Sequence, residues 1–122
     1  MINANELRIG NWVKLFNDDF YKIHVISKTV IQVEGGIIGG EVFKLEHIQP
    51  IPLTPEILEK CGFKKGSIYF YFSKFRIVKI NDSNNWLILL SDTYHHLCKL
   101  KHLHQLQNLY FALTGEELIY KP

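Results

Sequence analysis

A chain of 122 residues is sized for one domain or two very small lobes. Its composition of 47% hydrophobic, 21% charged and 13% aromatic residues is globular, which excludes a disordered chain, a collagen-like repeat and a disulfide scaffold. A net charge of only +2 excludes a global polybasic character as the driver of nucleic-acid or membrane binding.

The first half reads as short strands. Asn11 to Phe16 alternates, with Val13 and Leu15 on one face. Asn17-Asp18-Asp19 is a turn cluster whose side chains can bond the local backbone. Phe20 to Ile26 resumes the alternation, with Tyr21, Ile23 and Val25 expected on one face. Thr29 to Val33 is a β-branched run, and the glycines between Gly35 and Gly40 make a loop or a hairpin tip. Glu41 to Leu45 is a fifth short strand. Together these predict a small, curved antiparallel sheet, SH3-like in character.

Pro50-Ile51-Pro52-Leu53 is a stiff connector and the natural internal boundary, which divides the chain into lobes 1–53 and 54–122. Thr54 is placed to cap a short helix that opens on Pro55 and stops at Gly62. Strands return at Ile68 to Phe72, where Ile68, Phe70 and Phe72 alternate with Tyr69 and Tyr71. Ser73-Lys74 turns the chain into Phe75 to Ile80, and Asn81 to Asn85 is a polar loop. Trp86 to Leu90 is apolar on both faces, as a covered central strand would be, and Tyr94 to Lys99 is a candidate edge strand. Leu100, Leu103, Leu106, Leu109, Tyr110 and Leu113 then recur at helical spacing up to Thr114-Gly115. A helix of about 12 to 14 residues is expected there, laid across the second sheet. The fold class expected from these elements is α+β, an SH3-like sheet followed by a helix-covered antiparallel sheet.

No apolar run approaches the roughly 20 residues that cross a bilayer. Met1 to Glu6 lacks the basic and apolar regions of a secretory signal, so the expectation is a cytoplasmic protein with Cys61 and Cys98 as reduced thiols. Walker A, G-x-S-x-G, H-E-x-x-H and C-x-x-C patterns are all absent, and the glycine cluster does not have dinucleotide-fingerprint spacing. No catalytic signature, cofactor or metal is therefore expected.

Charge is unevenly distributed. Residues 1–60 hold six Lys/Arg against eight Asp/Glu, whereas residues 61–115 hold seven against two. Lys64, Lys65, Lys74, Arg76, Lys79, Lys99 and Lys101 lie among Tyr69, Tyr71, Trp86 and Tyr94. Cations pair with phosphates and aromatic rings stack on bases, so Tyr69, Tyr71, Lys74, Arg76 and Trp86 are the candidate ligand-binding residues for a nucleotide-like partner. A solvated basic face explains the same residues without a ligand, and the presence of only two arginines weakens a nucleic-acid reading.

Other polar constellations carry less. His95-His96 and His102-x-His104 invite a metal reading, although two positions apart on a helix diverge by about 200°. Asp18-Asp19 and Glu116-Glu117 lack a partner base for hydrolysis, and Cys61 at a helix end is better read as packing than as a nucleophile. Trp12, Phe16 and Phe20 oppose the apolar face of the first sheet, either as an exposed patch or as core.

Three segments, Glu6 to Asn11, Ile48 to Thr54 and His104 to Leu118, carry a family resemblance. They resemble a family of small uncharacterised proteins of Bacteroides-type bacteria, their phages and mobile elements. The resemblance implies a phage or mobile-element gene acting inside a bacterial cell, and no site residue follows from it. The expected function is a non-catalytic binding protein that interferes with a host defence system by sequestering a nucleotide-like signal or a host protein. A nucleic-acid accessory protein, a small hydrolase of such a nucleotide and a subunit that only assembles with itself or with another protein are the alternatives.

Overall fold

Short alternating segments separated by turns bury their apolar side chains by pairing edge to edge. Here they form two five-stranded antiparallel sheets joined by a short helix and followed by a C-terminal one. The computed structural model describes residues 2–15, 19–33, 42–80, 84–91 and 96–122. The expected glycine loop at Gly35–Gly40, most of the Asn17-Asp18-Asp19 turn, Phe16, the start of the polar loop at Asn81, and Tyr94 and His95 lie outside those residues.

The chain forms two compact units, one of residues 1–51 with 102–117 and one of residues 52–101 with 118–122. The first unit holds β1 (Trp12–Leu15), β2 (Phe20–Ile26), β3 (Val30–Val33), β4 (Val42–Lys44) and β5 (Ile48–Gln49), in sheet order β4-β3-β2-β1-β5. Val13, Leu15, Ile23, Ile31, Val33 and Ile48 fill its core with Ile2, Leu7 and Leu45. The expected face of β2 fails at one place. The register slips between Ile23 and Val25, so Val25 turns outward at 45% exposure and Ile26 packs on the core instead. A bulge of this kind reverses the in–out alternation beyond it. Trp12 and Phe20 are half-buried on the other face, and Trp12 sits across from Lys22.

The second unit opens on α1 (Pro55–Lys60), capped as expected by the Thr54 hydroxyl, which accepts from the Ile57 N–H at 3.2 Å. Strands β6 (Lys64–Lys65), β7 (Phe70–Phe72), β8 (Phe75–Lys79), β9 (Trp86–Leu90) and β10 (His96–Leu100) follow in the order β10-β9-β8-β7-β6. The pairings Phe70↔Ile77, Phe75↔Leu90 and Ile77↔Ile88 put Phe75, Ile77 and Ile88 on one buried face. Leu53, Ile57, Leu58, Cys61, Phe63, Leu118 and Tyr120 are the other buried apolar side chains of this unit's helix and flanking segments. Ile68 does not join the alternation of β7. It lies in the bend before the strand begins at Phe70 and is 71% exposed.

Helix α2 (Leu103–Thr114) has the expected length and ends on Gly115 in a left-handed conformation. Its placement corrects the sequence reading: it belongs to the first unit, not to the second sheet. Polar side chains on its inner face explain why. Gln107 accepts from the Trp12 N–H at 2.9 Å and donates to the Gly10 carbonyl at 3.2 Å. Asn108 accepts from Asn11 and donates to the Glu6 carbonyl, both at 2.8 Å. At the far end Arg8 grips Glu117 through two hydrogen bonds of 2.7 and 3.1 Å and lies 4.3 Å over the Phe111 ring. Among the described residues, no helix is long and apolar enough to cross a membrane.

Candidate anion site on the second sheet

The second unit carries nine Lys/Arg against four Asp/Glu, a charge of +5, whereas the first carries −3. Within residues 62–80 there are five cations and no carboxylate. Antiparallel register then decides which of them share a face, because residues directly opposite each other project the same way. Lys64 lies opposite Tyr71, Tyr71 opposite Arg76, and Arg76 opposite Leu89. Lys64, Tyr71 and Arg76 therefore form a row across three strands, on the face opposite Phe75, Ile77 and Ile88, and the row runs on to the buried Leu89. Neighbouring strands are about 4.8 Å apart, so the backbone positions of the two cations lie roughly 10 Å apart with the tyrosine between them.

The Arg76 guanidinium lies 5.2 Å from the centre of the Tyr71 ring, and its Nη1 donates to the carbonyls of Ser73 at 3.3 Å and Phe75 at 3.0 Å. These contacts hold the planar group in place through Nη1, and among the described residues nothing bonds its Nε–Nη2 edge. That edge is the fork that matches two oxygens of a phosphate or carboxylate. Lys74, in the turn, holds its ammonium 5.8 Å from the Phe75 ring. Beside the row lies a cavity of about 270 Å³ lined by Gly62, Lys64, Tyr71, Phe72 and Ser73.

Of the five residues the sequence singles out, Tyr71, Lys74 and Arg76 come together around the hairpin β7–β8. Tyr69 precedes the strand, half-buried, and its carbonyl accepts from the Gly66 N–H at 2.8 Å. Trp86 does not join the site. It is 2% exposed on the core face, where its indole N–H donates to the Leu53 carbonyl at 3.2 Å and its ring meets Phe70 edge-on at 6.0 Å. In a run that is apolar on both faces, only the pairings Lys79↔Trp86 and Ile77↔Ile88 show which face the ring takes. Lys64 and Ser73 were not among the five. The signal for Lys64 is its pairing with Tyr71, which only the register of the two-residue strand β6 reveals.

Gly66 lies close against Tyr69 and Tyr71. A Cβ there would come within 2.7 Å of the Tyr69 carbonyl oxygen and 3.6 Å of the Tyr71 ring. Gly66→Ala is therefore expected to break the Gly66–Tyr69 hydrogen bond and push the β6–β7 turn aside, at a cost of about 1–2 kcal/mol in a denaturant melt. An unchanged midpoint would show that this turn yields freely.

The histidine pair is arranged differently from a metal centre. The rings of His102 and His104 lie 5.7 Å apart and within 8° of parallel, so they stack. Among the described residues, no three metal-ligating side chains converge. His104 is 1% exposed, neither ring nitrogen has a hydrogen-bond partner, and the Glu6 carboxylate stands 3.9 Å from Nε2. Burial first, then the neighbouring His102, lowers its pKa to about 4, and Glu6 opposes this only weakly. His104 is thus neutral at pH 7, and its approach to Glu6 is no ion pair there. Burial also pushes the Cys61 thiol up to about 12 and raises Cys98, which leaves both as protonated, weakly reactive thiols.

No family model matches the chain, and neither the curated proteins nor the solved structures contain a match to it.

Proposed function

We propose that the protein is a non-catalytic binding protein that takes a phosphate-bearing, nucleotide-like ligand on the outer face of its second sheet. The observation that carries this reading is the Lys64–Tyr71–Arg76 row, with a guanidinium fixed by backbone carbonyls in a segment that contains no carboxylate. Tyr71, 39% exposed, already supports the Arg76 guanidinium, so its first role is to position that cation. In the setting implied by the sequence resemblance, a phage or mobile element inside a bacterial cell, such a protein sequesters a nucleotide signal of host defence. The sheet order β4-β3-β2-β1-β5 supports reading the first unit as an SH3-like curved sheet that completes the architecture.

Calorimetric titration with nucleoside 5′-monophosphates and with single-stranded RNA tests the reading. Mononucleotide binding is expected to weaken by about 100-fold in Lys64→Glu/Arg76→Glu, since each charge-assisted contact is worth about 1.5–3 kcal/mol. Circular dichroism is expected to show both proteins folded, and the nucleotide is expected to be released intact on denaturation. Equal affinity in the double variant overturns the site. Tight RNA binding with a steep salt dependence and no mononucleotide binding replaces this reading with a nucleic-acid one.

A further inference from the structure

The hairpin tip beside this row holds a strained residue. Phe72 pairs with Phe75, so Ser73 and Lys74 alone make the turn. Ser73 has φ 53°, and it is the one non-glycine with a positive φ among the described residues. A glycine at the first position of a tight hairpin turn adopts such a φ without cost, whereas a Cβ crowds the backbone there. Serine here gives up stability that glycine would supply, and strain of this kind gathers where a side chain is needed for a task. Ser73 lines the cavity, and its carbonyl anchors the Arg76 guanidinium.

We infer that this corner of the sheet takes the terminal phosphate of a phosphate monoester, with the Ser73 hydroxyl donating to one of its oxygens. The inference rests on the anion-site reading and narrows its ligand. The described residues with polar side chains that line the cavity are Lys64, Tyr71 and Ser73, and each of them can donate a hydrogen bond. The Nε–Nη2 edge of Arg76, which nothing bonds among the described residues, adds a two-pronged donor next to Tyr71. A site whose described residues are donors and cations matches a group that offers three unesterified oxygens and nearly two negative charges. A phosphodiester offers two such oxygens and a single charge. Size points the same way. At about 270 Å³ the cavity falls just below the roughly 300–1,000 Å³ of pockets that enclose a whole small-molecule ligand, so it suits a terminal group and leaves the remainder outside.

The test uses the full chain and three probes: inorganic phosphate, adenosine 5′-monophosphate and adenosine 3′,5′-cyclic monophosphate. The cyclic compound keeps the base and sugar but is a diester. The 5′-monophosphate is expected to bind at least about 10-fold more tightly than the cyclic ester, with inorganic phosphate competing for the site. Its affinity is expected to fall as pH drops through about 6, where the monoester takes up its second proton. Ser73→Gly is expected to raise Tm by about 2–6 °C while weakening monophosphate binding about 5- to 10-fold. Ser73→Ala keeps the strained backbone, so it is expected to weaken binding equally with Tm unchanged. Equal affinity for the two nucleotides, or undiminished binding in both Ser73 variants, overturns the monoester assignment. Binding of the cyclic ester that depends on Arg76 would leave the broader anion site standing. Failure of all three probes to bind would overturn both readings.

Discussion

Gln107→Leu is expected to destabilise the protein by about 3 kcal/mol in urea unfolding, although leucine is close in size and suits a helix better. The reason is what the glutamine holds rather than the space it fills. Its side chain, 1% exposed, caps the Trp12 N–H with its oxygen and the Gly10 carbonyl with its nitrogen. Leucine satisfies neither group, and each buried polar group left unpaired costs about 1–3 kcal/mol. Gly10 and Trp12 flank Asn11, which is itself fully buried and bonded to Asn108. The loss therefore falls on one hydrogen-bonded patch that fixes α2 to the start of β1. Trp12 lies in that patch, so its fluorescence should report the disturbance. A cost below about 1 kcal/mol would mean that water replaces the glutamine, and the amide ladder would then not be what locks the helix.

Acidification should weaken the fold through His104. Its pKa is about 4 when folded, against an ordinary value of 6.5. Above pH 6.5 the ring is neutral in both states and contributes nothing to the pH dependence. As pH falls from about 6.5 to about 4, the unfolded chain takes up the proton first and is favoured. Below about 4 both states are protonated and the loss is complete. The full span corresponds to about 3 kcal/mol. The groups facing the ring are His102, whose own charging adds to the penalty, and Glu6, which relieves a little of it. Denaturant melts at pH 7 and pH 4 measure the effect, with His104→Gln as the comparison. The variant should lose about 3 kcal/mol less than the natural protein over that interval. Identical acid limbs would show that His104 finds a partner or solvent when it charges.

Much of the architecture is legible in the residues where local chemistry is strong. Thr54-Pro55 before an apolar stripe, and Thr114-Gly115 after one, mark helix ends because capping depends on those side chains alone. Phe20–Ile26 and Trp86–Leu90 announce strands by composition and length. Four features are not visible at this level. Periodicity shows that α2 has an apolar face but not which sheet receives it. The deciding groups are Gln107 and Asn108, ordinary polar residues until their partners at Gly10, Asn11 and Trp12 are known. The slip after Ile23 depends on pairing with β3 and leaves no mark on β2 itself. Strands β5 and β6 have two residues each, too few for any alternation to register. At the candidate site, the hairpin around Ser73-Lys74 and the cations beside it can be read directly, whereas the row that selects Lys64 and Arg76 and excludes Trp86 depends on register.

The path of the chain between its two units also governs the order in which they can form. The first unit needs residues 102–117, and the second needs residues 118–122, where Leu118 and Tyr120 are buried and the Lys121 N–H bonds the Lys60 carbonyl at 2.9 Å. Neither is an uninterrupted stretch of sequence. On the ribosome, the first fifty residues would wait for a helix made fifty residues later, with the whole second sheet emerging in between. The second sheet in turn would wait for a short tail that follows the helix. Closing such long loops is slow, and partly made sheets with open edges are exposed meanwhile. A nascent chain arrested before residue 102 should therefore be protease-sensitive throughout, and the two units should become resistant almost together, once residues 102–122 have left the ribosome.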